Sequence, residues 1–249
     1  MTNPDTAPPA IAPQPLGRRL LAEFLGTGLL VTVVVGSGIA AAELSPDDIG
    51  LQLLENSMAT VFGLAVLILM LGPVSGAHFN PVVTVADWFL SRRDPEGFSA
   101  GHIAPYVAAQ GAGAIAGALL ANAMFDVGTT LSEHERASGG HLLGEVVATA
   151  GLILLIFALV RSDRTAVVAP AVGAYIGAAY WFTSSTSFAN PAVSLGRAFS
   201  DTFAGIAPSS VPAFVLAQIV GGAIGVVLVL TLYPSQAVTP HTHQGESHV

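Results

Sequence analysis

The chain has 249 residues, of which 52% are hydrophobic and 10% charged, with a mean hydropathy of +0.68. A formal charge of −8 with no basic run argues against a nucleic-acid partner, and the absence of cysteine excludes disulfides and thiolate chemistry. What remains is a membrane class, because long apolar runs dominate the chain.

In chain order, residues 1–16 are rich in Pro and Ala and lack the apolar core of a cleavable signal, so they read as a disordered cytoplasmic tail. The first span then acts as its own insertion signal. A spanning helix needs about 20 mostly apolar residues, and the runs at residues 20–42, 51–71, 103–125, 142–160, 166–183 and 211–232 each qualify. Residues 235–249 are polar and carry His241, His243 and His248, which could be read as a metal tract; a second disordered cytoplasmic tail is the preferred reading. The even number of spans puts both termini on one side. Of the eight basic residues, all arginine, Arg18, Arg19, Arg92, Arg93, Arg161 and Arg164 then share that side, which makes it cytoplasmic; Arg136 and Arg197 face the other.

Between the spans lie two related triplets, Asn80-Pro81-Val82 and Asn190-Pro191-Ala192. Asn caps helices and Pro suits their first turn, so each triplet predicts a half-helix starting partway through the membrane. Two such N-termini would meet at the midplane. Irregular backbone at that depth is tolerated only when packed in protein or lining a watery cavity, so the pair predicts a pore or substrate path.

The two halves of the chain repeat further. Glu23-Phe24-Leu25-Gly26-Thr27 in span one matches Glu145-Val146-Val147-Ala148-Thr149 in span four, and Ala109-Gln110 with Gly113 and Gly117 in span three matches Ala217-Gln218 with Gly221 and Gly225 in span six. Three spans per half invert the second copy. This predicts one channel domain over residues 17–234, with a first repeat at about 17–125 and a second at about 141–234. The spaced glycines predict close backbone approach between helices. Glu23 and Glu145 need compensation, because a charge near the centre of a span costs about 2.5–3.5 kcal/mol on insertion scales. A proton relay or ion site is one reading. A carboxylate accepting hydrogen bonds from donors freed at the broken backbone is the preferred one, since each half has one such Glu and one break.

The run from Ser75 through His78 to Thr84, the Ala-Glu-Phe-Leu-Gly-Thr stretch of span one and the paired Ala-Gln-x-x-Gly segments resemble the aquaporin and aquaglyceroporin family of major intrinsic proteins, over roughly residues 20–233. The resemblance implies an all-α membrane protein: a right-handed bundle of six transmembrane helices plus two half-helices in an inverted repeat, a homotetramer with one pore per subunit. It implies a passive channel with no enzymatic role, cofactor or metal. Asn80 and Asn190 would donate hydrogen bonds to the solute, and Glu23, Glu145 and His78 would support the loops.

Family members usually place an arginine directly after the second triplet, where this chain has Val193. Counting without gaps, the other filter positions are Thr60, Ala178 and Ser187, which together predict a wide, uncharged ring of small side chains. Arg197 is either a displaced filter arginine or, preferred, a vestibule charge paired with Asp201 at i+4; without the proline found there in many relatives, its half-helix should run a turn longer. Val82, in place of the usual alanine, reads as a packing variant, although its methyl groups could alter the spacing where the turns meet. The segment from Thr183 to Val193, with Ser200 to Ile206, resembles the branch of bacterial arsenic-resistance operons, implying a bacterial inner membrane and passage of arsenite and methylated arsenicals. The leading expectation is a channel for small neutral solutes. Alternatives are a water- or glycerol-selective aquaporin, a proton-coupled secondary transporter using Glu23 or Glu145, and a junction protein that does not conduct.

Overall fold

A computed structural model describes residues 14–234; both expected tails, at residues 1–13 and 235–249, with the His241, His243 and His248 tract, lie outside the described residues. The helices are α1 (Leu16–Leu44), α2 (Ile49–Ser75), α3 (Pro81–Ser91), α4 (Ile103–Met124), α5 (Gly139–Arg161), α6 (Val168–Phe182), α7 (Pro191–Arg197) and α8 (Val211–Leu232), with no strand among the described residues. Among these residues, six helices are long and apolar enough to cross a membrane, α4 and α6 each being extended by a preceding 3-10 turn. Two are short: α3 with 11 residues and α7 with 7.

Helix starts follow local chemistry. Asp48 caps α2 by accepting from the Leu51 amide at 2.9 Å, and Ser138 caps α5 from His141 at 3.3 Å. Asn80 and Asn190 cap α3 and α7, each followed by proline at the first turn.

The long helices pack by removing side chains. α1 lies against α4 and α5 against α8. A methyl group at Gly113 or Gly117 would collide with the backbone of Phe24 or Gly28, and one at Gly221 or Gly225 would lie 2.5 or 2.7 Å from the Val146 or Ala150 carbonyl. These glycines bring paired backbones into direct contact, the small-residue packing that membrane helices use where no hydrophobic drive separates helix from lipid. The outward faces stay apolar: Leu21, Phe62, Leu69, Val147, Trp181, Leu216 and Val227 are all exposed.

Two expectations about α7 need correcting. The helix ends at Arg197 and does not run a turn longer, because the chain turns away at Ala198, whose amide bonds back to Leu195. The Arg197 to Asp201 pair is also absent: i+4 geometry holds only within a helix, and Asp201 lies beyond the end of this one. Asp201 accepts instead from the Glu133 amide at 3.0 Å and from Ser132 Oγ at 3.4 Å, pinning the α4 to α5 connection over this end of the bundle. That connection is held again where Arg136 donates to the carbonyls of Gly205 and Phe203. Glu135 accepts from Ser209 and Ser210, whose hydroxyls hold its carboxyl below the usual range.

Candidate functional site

The segments leading into α3 and α7 are built alike. Ala77 and Phe79 precede Asn80 with φ of 51° and 49°; Ser187 and Ala189 precede Asn190 with φ of 50° and 47°. Left-handed backbone costs L residues about 1–2 kcal/mol each, so something must hold these turns open. The two glutamates do. Fully buried Glu23 accepts from the amides of His78 at 3.0 Å and Phe79 at 2.8 Å, from Ser75 Oγ at 2.6 Å and from Gln110 Nε2 at 2.7 Å. Glu145, equally buried, accepts from the amides of Phe188 at 2.9 Å and Ala189 at 2.8 Å and from Gln218 Nε2 at 2.6 Å. Each glutamine also reaches a hydroxyl on its half-helix, Thr84 or Ser194, at 2.9 Å.

The two turns then lock together. Asn80 Nδ2 donates to the Ala189 carbonyl and Asn190 Nδ2 to the Phe79 carbonyl, both at 2.7 Å. Their Oδ1 atoms face their own helices: Asn80 accepts from the Val82 amide at 2.9 Å, Asn190 from Ala192 at 3.0 Å and Val193 at 3.2 Å. An amide nitrogen carries two hydrogens, so one N–H of each asparagine is committed to the crossed bond and the other is free to serve the cavity that both residues border.

That cavity has a volume of about 280 Å³. Its walls are stripes at i, i+4 spacing: Thr60, Leu64 and Ile68 on α2; Leu152, Ile156 and Val160 on α5; Val168, Val172, Ile176 and Tyr180 on α6. The α6 stripe alone covers about 18 Å at 1.5 Å per residue. Val83, Val193, Ser187 and the carbonyl-bearing Phe79 and Ala189 line the middle, His78 and Asp87 one end, Phe188 and Arg197 the other.

Three of the four residues expected in an outer ring border this cavity: Thr60, Ser187 and Val193. Ala178 does not, and it is exposed on the outside of the bundle. At 100° per residue it lies about 200° around α6 from both Ile176 and Tyr180, so a gapless register back from Asn190 lands on the outer face of the helix. Tyr180 takes that wall, its hydroxyl 3.1 Å from Thr60 Oγ1. The ring is accordingly neither uniformly small nor uncharged, since Tyr180, Phe188 and buried Arg197 all face the cavity. The α6 stripe was readable from its four-residue period. Pro81, Pro191 and Ala192 shape the half-helices without bordering the cavity, and Val82 turns its methyls onto Gly222 of α8, away from the meeting point of the turns.

Apolar spans surrounding a long cavity that passes two buried amides define a multi-pass membrane channel. A family model described as Major intrinsic protein matches residues 12–199, and the chain belongs to that family, the aquaporins and aquaglyceroporins. It is a passive channel for small solutes and not an enzyme. Among curated proteins it is 48% identical to aquaglyceroporin AqpS of Rhizobium meliloti (strain 1021), over 91% of this chain and 95% of that one. It is 33% identical to aquaporin Z of Brucella melitensis biotype 1, over 84% and 95%. Among solved structures, the aquaglyceroporin from Plasmodium falciparum superposes with a TM-score of 0.62 at 21% identity, covering 86% of this chain and 96% of that one; this likeness concerns the fold.

Proposed function

We propose that this channel conducts small neutral hydroxylated solutes, glycerol-like polyols and water, together with arsenite and methylated arsenicals. The observation that carries the reading is the pairing of Asn80 and Asn190 at the waist of an otherwise largely apolar cavity. Each asparagine offers an N–H to a passing hydroxyl, which replaces a water contact, while the apolar walls accept the carbon skeleton. A cation gains no counter-charge there and meets the positive ends of two half-helices. Arsenite at neutral pH is an uncharged triol with the hydroxyl display of glycerol. The arsenical part rests on the resemblance of residues 183–193 to the arsenic-operon branch.

Proton coupling finds no support in the site, because Glu23 and Glu145 do not border the cavity and are occupied by the turns they hold. The reading includes a single channel domain over residues 17–234, a homotetramer in a bacterial inner membrane and cytoplasmic termini, the last supported by the six arginines at the ends of α1, α3 and α5 that share one side by topology. Purified protein in liposomes should admit glycerol and arsenite well above empty vesicles. Water entry with complete exclusion of both would overturn the proposal in favour of a water-selective pore.

A further inference from the structure

Asp87 and Arg197 stand at matching places in the repeats, seven residues after Asn80 and Asn190, and both border the cavity with opposite charge. Asn80, Val83 and Asp87 fall on one face of α3 at i, i+3 and i+7, the face that lines the cavity. An ionisable side chain at membrane depth is costly unless it meets water or a partner. Asp87 meets both. Its side chain is 30% exposed, and its Oδ2 lies 3.2 Å from His78 Nε2. The imidazole is fixed in turn by Thr84, whose Oγ1 is 3.2 Å from His78 Nδ1. Asp87 Oδ1 makes no hydrogen bond among the described residues.

The pore opens at this carboxylate. Gly76, His78 and Asp87 border the long cavity and also a second one of about 590 Å³, whose wall includes Arg19, Glu96 and His102. Arg19 does not neutralise Asp87. It donates from Nε to the Tyr106 hydroxyl at 2.6 Å and lies over the Phe98 and Tyr106 rings, and no arginine is within salt-bridge distance of Asp87 among the described residues. The features that turn cations away would by themselves draw anions in, because half-helix N-termini favour negative charge and Arg197 adds a full positive charge to the wall. Among the described residues bordering the long cavity, Asp87 is the one carboxylate that opposes them. Its action discriminates: a neutral hydroxyl can donate to it in a charge-assisted bond, whereas an anion meets only repulsion.

We infer that Asp87 sets the charge selectivity of the pore, holding down the entry of anions at the end opposite Arg197 while accepting a hydrogen bond from neutral hydroxylated solutes. The inference rests on the channel reading above and adds the residue that sorts its solutes by charge. His78 positions the carboxylate at the mouth and leaves one of its oxygens to the solute.

The test is the ratio of iodide to glycerol permeability in liposomes carrying the full-length protein, at about pH 8, where imidazole is ordinarily neutral. Iodide entry is read by a trapped halide-quenched dye, with potassium and valinomycin carrying the compensating charge, and glycerol entry by stopped-flow light scattering. Asp87→Asn keeps the shape and an acceptor but loses the charge. It should raise the ratio about tenfold or more, the effect of one unit charge acting over roughly 10 Å at an effective dielectric constant of about 20. Asp87→Ser should do the same and carries the test if the Asn variant does not fold, while Asp87→Glu should stay within about threefold of wild type. An unchanged or lowered ratio in the neutral variants overturns the inference and leaves dehydration in the apolar pore as the anion barrier. A ratio in Asp87→Glu as high as in Asp87→Asn also overturns it, tracing the leak to lost packing. A wild-type protein that moves glycerol no faster than empty vesicles overturns the channel reading itself, which separates the two failures.

Discussion

The turn before Asn80 and the turn before Asn190 share a backbone and differ in what they present to the pore. Both pass through left-handed residues, both hang on a buried glutamate and a glutamine, and each asparagine donates to the other turn. Yet the first leads into an 11-residue helix and a His78 to Asp87 pair, the second into a 7-residue helix and an arginine stacked on phenylalanine. The shared parts are those that pay for irregular backbone inside a membrane. The parts that differ face the solute, so duplication maintains the scaffold while departures from it set what passes.

Breaking the shared scaffold should have the largest effect. Glu145→Leu strands the amides of Phe188 and Ala189 and the Gln218 side chain, and each buried unsatisfied donor costs about 1–3 kcal/mol. Together these rival the stability of a typical domain, and no monodisperse folded protein is expected on size-exclusion chromatography in detergent. A folded, conducting Glu145→Leu would remove the glutamate from the scaffold.

Asn190→Leu comes next. It deletes the donor to the pore, the crossed bond to Phe79 and the cap of α7, the cap alone being worth about 1 kcal/mol. Glycerol flux should fall by at least about tenfold, with a lowered unfolding temperature in detergent, and Asn80→Leu should behave similarly if the turns are equivalent. A large asymmetry between the two would show that the crossed bonds are not shared equally.

Changes confined to the differing face should be smaller. Val193→Arg places a second cation near Arg197 on the same wall, so glycerol and larger neutral solutes should slow several-fold while water flux is better retained. Equal losses for both solutes would point to a collapsed pore. Smallest of all is Ala178→Phe: the side chain lies on the outer face of α6, so single-channel permeability should stay within about twofold of wild type, whereas an inward-facing position would be blocked.

Much of this is legible in the sequence. The spans, the Asn-Pro half-helices and the repeated glutamates follow from apolar length, capping chemistry and the cost of a buried charge, all of which are local or periodic signals. What the residues touch is less so. A gapless register back from Asn190 to Ala178 crosses an irregular segment that no helical period governs, whereas the four-residue stripe ending at Tyr180 marks the face of α6 that borders the cavity. An Arg197 to Asp201 pair needs helical spacing beyond a helix that stops at Arg197, and the Phe188 ring that does hold Arg197 lies nine residues earlier, a distance no helical period relates. The bond from Asn80 to Ala189 joins opposite halves of the chain and is visible only in three dimensions.

The central claim is that solute moves passively past Asn80 and Asn190 through one continuous path. Glycerol flux into liposomes, followed by stopped-flow light scattering across a wide range of concentrations with and without an imposed proton gradient, tests it most directly. The account predicts a rate proportional to the glycerol gradient, without saturation and unchanged by the proton gradient. Saturation at low concentration, or uptake driven against the glycerol gradient by protons, would contradict it and return Glu23 and Glu145 to the role of proton carriers.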